Sequence, residues 1–286
     1  MPVEVRKDTI AFIVCVNNEL YFEECKYYIE RLEVPVGYDI DVIGIWEADS
    51  MCAAYNLGMR SSDAKYKVYM HQDVFIRDSR FLEKTLRIFK EHPKAGMIGM
   101  IGGIGIPENG VVYTAWNVGK VDCREPDLSY VLLCGPNQTK DQIVDAVDGL
   151  LMMTQYDLPW REDLFSDFDF YDVSQCLEMR RMGWRVVVPC QETPWCYHDN
   201  FYSRMLNYQK YCNKMLTEYQ DIQSFQAMDY SESRKELEQI KEVARRELYE
   251  LVDKGEKAQF LELFQEQENR GWLHLKDLEV LADIAA

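Results

Sequence analysis

Two hydrophobic periods alternate along the first 200 residues. Thr9 to Val16 is a continuous apolar run, the pattern of a strand covered on both faces. Behind it, Phe22, Cys25, Ile29 and Leu32 recur at helical spacing on a segment that Pro35 and Gly37 terminate. Ile40 to Trp46 predicts a second strand, and Met51 to Arg60 a helix capped by Ser50. A third strand, Tyr66 to Met70, runs into His71-Gln72-Asp73. Ser79 to His92 carries Leu82, Leu86 and Phe89 on one helical face before Pro93, and Ala95 to Ile101 is the fourth strand. From Gly102 to Asp148, glycine, proline and asparagine break the regularity around short β runs at Val111 to Tyr113 and Tyr130 to Leu133. Leu150 to Thr154 predicts a strand, Val173 to Met182 a helix, and Arg185 to Val188 a last strand stopped by Pro189.

Strands alternating with amphipathic helices predict an α/β fold, a mostly parallel mixed sheet flanked by helices. Beyond Asn200 the pattern turns helical, with Glu232 to Val252 the strongest single period and shorter ones at Gln259 to Gln267 and Lys276 to Ile284. The expected organisation is therefore a sheet domain at 1–200 and an all-helical extension at 201–286. The amphipathic stripes of that extension are expected either to pack on the domain or to form a dimer interface or a partner-binding helix.

Composition narrows the function classes. The chain has 286 residues, 47% of them hydrophobic, enough for a sizeable core, so disorder throughout is excluded. Its formal net charge is −17, which argues against nucleic acid as a partner, because phosphate-backbone binders need a Lys/Arg surplus. The start lacks a basic, apolar and small-residue sequence of zones, and the most apolar stretch, Ala95 to Pro107, is too short to span a bilayer, so no transmembrane segment is expected. The expected compartment is the cytoplasm. Nine scattered cysteines without a CxxC pair suit free buried thiols rather than a zinc site or disulfide framework.

Chemistry-bearing residues cluster at expected sheet edges. Asp73 follows the third strand, Asp148 precedes the Leu150 strand, Asp172 opens the Val173 helix, and His198 lies past the last strand. Ligands in open α/β sheets bind at the carboxyl ends of the strands. Singly, each residue has an ordinary explanation as a turn former or a helix N-terminal acid. Gly99, Gly102, Gly103 and Gly105 do not make the G-x-G-x-x-G spacing of a dinucleotide site, and Val16-Asn17-Asn18-Glu19 offers no glycine-rich cradle for a triphosphate.

The order of the segments resembles the family 2 glycosyltransferases of the GT-A fold. Met51-Cys52-Ala53-Ala54-Tyr55-Asn56-Leu57-Gly58 is similar to the family's small-x-x-Asn-x-Gly helix. Val68-Tyr69-Met70-His71-Gln72-Asp73 stands where its Asp-x-Asp motif ends the next strand. Val147-Asp148-Gly149 and Phe170-Tyr171-Asp172-Val173, with Arg180-Arg181-Met182-Gly183-Trp184 behind them, follow the order of its acceptor-side motif. The resemblance covers roughly residues 9 to 200 and identifies a subgroup with His-Gln-Asp in place of Asp-x-Asp and Phe-Tyr-Asp in place of Glu-Asp.

The resemblance implies a metal-dependent, inverting glycosyltransferase that moves a sugar from a nucleotide-diphosphate donor, a UDP-sugar for preference, to a hydroxyl acceptor. It implies Mn²⁺ or Mg²⁺ on Asp73 with help from His198, Asp172 as base, and Asp148, Gly149 and Tyr171 at the acceptor. Asp167 and Asp169 lie within a few residues of the base position. The donor is expected near Val16, Asn17, Glu47, Asp49 and Ser50, with Asn56, His71 and Gln72 also on that side, and His71 free to touch metal or ribose. The single carboxylate at the altered motif also fits a second class, an inactive nucleotide-sugar-binding or scaffold protein of the same fold. Asp122 to Asp172 holds twelve acids against three bases, so acidity is expected to concentrate on the acceptor side of the site.

Overall fold

The computed structural model describes residues 5–125, 128–135, 138–199, 207–222 and 246–269. The chain divides into two units, Met1–Ala227 and Met228–Ala286. The expected helices at Glu232 to Val252, in large part, and at Lys276 to Ile284 lie outside the described residues.

In the first unit β1 (Arg6–Val16) runs between β2 (Asp39–Trp46) and β3 (Ala64–His71), parallel to both. β11 (Leu151–Thr154) is inserted antiparallel between β3 and β5 (Ala95–Gly99). β12 (Arg185–Val188) then pairs parallel with β5, and β9 (Gln142–Val144) closes the far edge antiparallel. The seven-stranded order is β2-β1-β3-β11-β5-β12-β9.

A second sheet has the order β10-β6-β7-β13-β4, built from β4 (Val74–Ile76), β6 (Ile101–Gly103), β7 (Val118–Glu125), β10 (Ala146–Val147) and β13 (Cys196–His198). β8 (Leu128–Leu133) pairs with β7. The helices of this unit are α1 (Glu19–Ile29), α2 (Met51–Arg60), α3 (Phe81–Glu91), α4 (Tyr171–Arg181) and α5 (Tyr208–Glu218).

Each local feature has a legible cause. Asn18 Oδ1 caps α1 by accepting from the amides of Leu20 and Tyr21, and Ser50 Oγ caps α2 from Ala53 at 3.1 Å. Alternation along β1 sends Ile10, Phe12, Val14 and Val16 into one core cluster with α1 and α3, and Ile13 into another with α2, α4 and α5. α2 can lie close to β1 because residue 58 is glycine: a Cβ there would meet Ile13 Cγ2 at 2.3 Å. The expected β run at Val111 to Tyr113 is instead part of a 3-10 turn, Val112–Ala115, because the Val112 amide donates to Tyr208 Oη at 3.0 Å rather than to a strand.

Two buried polar groups hold loops to this frame. The Lys67 ammonium, 1% exposed, donates to Ala64 O and to Asp157, both at 2.7 Å. Asn56, 2% exposed, uses both ends of its amide on the Trp160 backbone, donating to the carbonyl and accepting from the amide, each at 2.9 Å. α5 buries Tyr211, Cys212 and Met215 in the second cluster, and its Glu218 accepts from Arg161 and Arg181.

The second unit has helical residues at 246–254 and a helix Lys257–Asn269, joined around a small cluster of Leu248, Phe260 and Phe264. All nine cysteines are free, as expected. No helix among the described residues is long and apolar enough to cross a membrane.

Because Asn56→Leu leaves a buried N–H and a buried C=O of Trp160 unpaired, it should lower unfolding free energy by about 2–4 kcal/mol. Urea denaturation measures this, and a change within experimental scatter would remove Asn56 from the frame.

Candidate functional site

The carboxyl ends of β1, β2 and β3 share one edge of the main sheet, and the antiparallel direction of β11 brings the segment before it to the same edge. Leu151 sits opposite Met70, and the His71 amide donates to Leu150 O at 3.0 Å. The second sheet adds His198, paired with Val74, while the Asp199 amide donates to Asp73 O at 2.9 Å. α4 starts here too. Residues 71–73, 148–150, 171–172 and 198–199 meet because three separate chain crossings end at one edge.

His71, Asp73 and His198 form a group whose ligand atoms all lie within 4.8 Å of one another. Asp73 Oδ1 is 3.9 Å from His71 Nδ1 and 3.6 Å from His198 Nε2. Two ligands each about 2.1 Å from one ion are separated by roughly 3 to 4 Å, so this spacing suits shared coordination. Two imidazoles and one carboxylate form a donor set that accepts a first-row divalent ion, Mn²⁺ among them. All three side chains are partly buried. Burial alone would raise Asp73, but the His198 contact and the two imidazoles outweigh it and hold the carboxyl below its usual range. Burial pulls His71 down, against the charge of Asp73. Burial would pull His198 down too, yet its contact with Asp73 raises it overall.

Beside this group stands a pair of carboxylates. Asp148 accepts from Trp116 Nε1 at 3.1 Å and from the Leu150 amide at 3.0 Å. Asp172 accepts from the Gly149 amide at 2.9 Å and the Val173 amide at 2.8 Å. Burial, then the like charge of Asp148, pushes Asp172 up to about 7 against those amide bonds. Asp172 therefore holds its proton more tightly than an ordinary carboxyl. Tyr171 joins the two groups, its phenol 2.5 Å from His71 Nε2 and packed over Gly149, where a Cβ would meet its oxygen at 2.1 Å.

The other expected site residues divide by what their atoms already do. Gln72 Oε1 accepts from the amides of Asn17 and Asn18 at 3.0 and 2.9 Å, and Gln72 Nε2 donates to Asn17 Oδ1, so the two loops are tied together. Val16 is buried, the Ser50 hydroxyl caps α2, and the Asn56 amide holds Trp160, so these side chains serve the frame of the site. Asp49 and Glu47 are exposed past β2, Glu47 with a left-handed φ of 54°. Asp167 accepts from Asn207 Nδ2 at 2.5 Å, and Asp169 is raised by burial and by Asp167.

Sequence reasoning missed Trp116, which lies in the irregular stretch, and Asp199 with Tyr21, whose hydroxyl donates to Asp199 at 3.2 Å. Adjacency to His198 was the one signal for Asp199.

The acidity expected on the acceptor side is matched in part by basic partners. Asp122 pairs with Arg77, Asp145 with Arg180, Asp157 with Lys67 and Asp163 with Arg161. Among the described acids of that segment, Asp148 and Asp172 stand beside the three-residue group, and the like charge of Asp148 acts on Asp172.

Comparison with known proteins agrees with this architecture. Residues 11–219 match the model of a family described as glycosyltransferase-like. No curated protein matches the chain in sequence. Among solved structures, GalNAc-T7 with UDP, GalNAc and Mn²⁺ is 12% identical with a TM-score of 0.50, covering 79% of this chain and 54% of its own. Staphylococcus aureus TarS is 8% identical at 0.50, over 77% and 41%. The Pyrobaculum calidifontis mannosyltransferase PcManGT with GDP-Man and Mn²⁺ is 12% identical at 0.46, over 75% and 63%. This chain therefore spans less than two thirds of the length of each. The likenesses at 0.50 speak to the fold, the GT-A-like mixed sheet expected from the sequence.

Because Asp172 holds its proton in the folded state to about pH 7, while an unfolded aspartate releases it near 3.9, its contribution to stability is full below that lower value. The contribution is lost as pH rises through 7. A ¹³C carboxyl titration should find the Asp172 midpoint near 7 and, in Asp148→Asn, about a unit or more lower. A wild-type midpoint near 4 would refute the coupling.

Proposed function

Since the chain belongs to the glycosyltransferase-like family, we propose that it moves a sugar from a nucleotide-diphosphate donor, preferably a UDP-sugar, to a hydroxyl acceptor with inversion. The observation that carries this reading is the meeting of a three-residue ligand set with a carboxyl that ionises near neutrality, at one sheet edge. Asp73, His198 and His71 hold the divalent ion. Bound there, Mn²⁺ or Mg²⁺ stabilises the charge that gathers on a leaving diphosphate.

The protein's own groups supply the rest. Ionised Asp172 takes the acceptor hydroxyl proton, and its amide bonds from Gly149 and Val173 keep the carboxylate pointed. Asp148, Gly149 and Tyr171 line the acceptor side. The loop pair Asn17 and Gln72, with Glu47 and Asp49 beyond β2, frames the donor side at the ends of β1 and β2.

The metal and UDP pairing seen in the GalNAc-T7 structure guides the first probe. Mn²⁺ with UDP should raise the melting temperature of the full chain, and Asp73→Asn should abolish the rise. No shift with any nucleoside diphosphate and metal would sink the donor site.

Across a panel of nucleotide sugars, release of nucleoside diphosphate should increase with pH and level off above about 7, because the base must be ionised. Asp172→Asn should slow turnover by about 10²–10⁴-fold. Binding without turnover on every donor would favour the inactive binding protein, the reading that a single carboxylate at the altered motif also supports.

A further inference from the structure

His71 presents two ring nitrogens to different neighbours. Nδ1 faces Asp73, a member with it of the three-residue group, with Oδ1 at 3.9 Å, too far for a hydrogen bond. Nε2 lies 2.5 Å from the Tyr171 hydroxyl. A neutral imidazole carries one N–H and one lone pair, so a nitrogen that bears the proton cannot bind a metal. A proton on Nδ1 has no hydrogen-bond partner among the described residues, whereas a proton on Nε2 has the phenol oxygen.

Tyr171 is well placed to impose that choice. It is 5% exposed, at the start of α4. Its ring packs among Tyr55 and Trp160, with centroids 5.8 and 6.3 Å away, and its oxygen fills the space that a side chain at Gly149 would need. The phenol cannot swing aside without disturbing that packing, so its oxygen is a fixed reference for the His71 ring.

We propose that Tyr171 is a positioning residue for the metal centre. Its hydroxyl oxygen accepts the Nε2–H of His71, which fixes the imidazole tautomer and turns the Nδ1 lone pair toward Asp73 and a divalent cation. Ligating histidines ordinarily donate their second N–H to such a partner, and losing the partner costs about 10–100-fold in metal affinity. The inference rests on the metal-binding reading given above and adds to it: the residue next to the base orients a ligand of the ion, so the two halves of the site share one helix start.

The test compares wild type with Tyr171→Phe, which keeps the ring and removes the oxygen. Electron paramagnetic resonance of free Mn²⁺, titrated with each full-length protein, should give about 10–100-fold weaker binding for the variant, while melting in EDTA confirms that both are folded. A purely structural role would lower the melting temperature and leave the affinity of the folded protein unchanged.

The chain has four histidines, so ¹⁵N–¹H side-chain spectra of the metal-free wild type can resolve the tautomer without any variant. His71 should be the Nε2–H form. Equal Mn²⁺ affinity of the two proteins, or His71 protonated at Nδ1, would overturn the positioning role whether or not the ion binds. Failure of the wild type to bind Mn²⁺ would overturn the metal reading itself and the inference with it, and the tautomer signals, which need no ion, keep the two failures apart.

Discussion

The site depends on one close approach, the crossing of Tyr171 over Gly149. A Cβ at residue 149 would sit 2.1 Å from the phenol oxygen, so only glycine lets the start of α4 settle against the edge where β3 and β11 meet. Two contacts follow from that seating. The Gly149 amide reaches Asp172, and the phenol reaches His71. Loosen the crossing and the Asp172 carboxyl loses its Gly149 amide while the His71 imidazole loses its phenol partner, although neither residue has itself been altered. The aromatic packing of Tyr55, Tyr69, Trp160 and Tyr171, with centroids 4.8–6.3 Å apart, makes the crossing stiff.

Electrostatics then follow from position rather than from composition. The chain is strongly acidic, yet four acids in its most acidic segment are matched by Arg77, Lys67, Arg161 and Arg180, while Asp148 acts on Asp172 through their like charge. Asp73 has the opposite surroundings, with an imidazole on either side. One edge therefore holds a carboxyl kept ionised and a carboxyl kept near its midpoint. That split is what lets two chemically identical groups take the separate roles proposed for them, ligand and base.

Local patterning carried most of the fold into the sequence. The cap at Ser50, the span of α2 and the runs of β1 and β12 follow from periodicity and side-chain chemistry that act over a few residues. β4, β10 and β13 were not visible because two or three residues give no period, and α5 because its apolar stripe is interpreted only once Tyr211 and Met215 have a surface to meet. Of the site, the order of strand ends exposed Asp73, Asp148, Asp172 and His198. What each atom does there was hidden: Asn56 looks like a ligand residue in a motif but is spent on Trp160, and Trp116, in an irregular stretch, supplies the hydrogen bond to Asp148.

The strain in the chain is not evenly spread. Among the described residues, the two non-glycine positions with left-handed backbone are Glu47, just after β2, and Phe170, just before α4, with φ of 54° and 62°. Both flank the ligand edge. Asp172 stores a further cost there, since burial and the like charge of Asp148 raise its pKa and so disfavour its ionised form at neutral pH. A fold kept only as a scaffold gains nothing from a buried carboxyl pair, because an asparagine at either position would relieve the repulsion and keep a hydrogen-bonding side chain. Costs of this kind, gathered beside a metal-ligand set, are what a site that must move a proton near pH 7 requires. On this physical ground the proposed transferase reading is the one we favour over the inactive one.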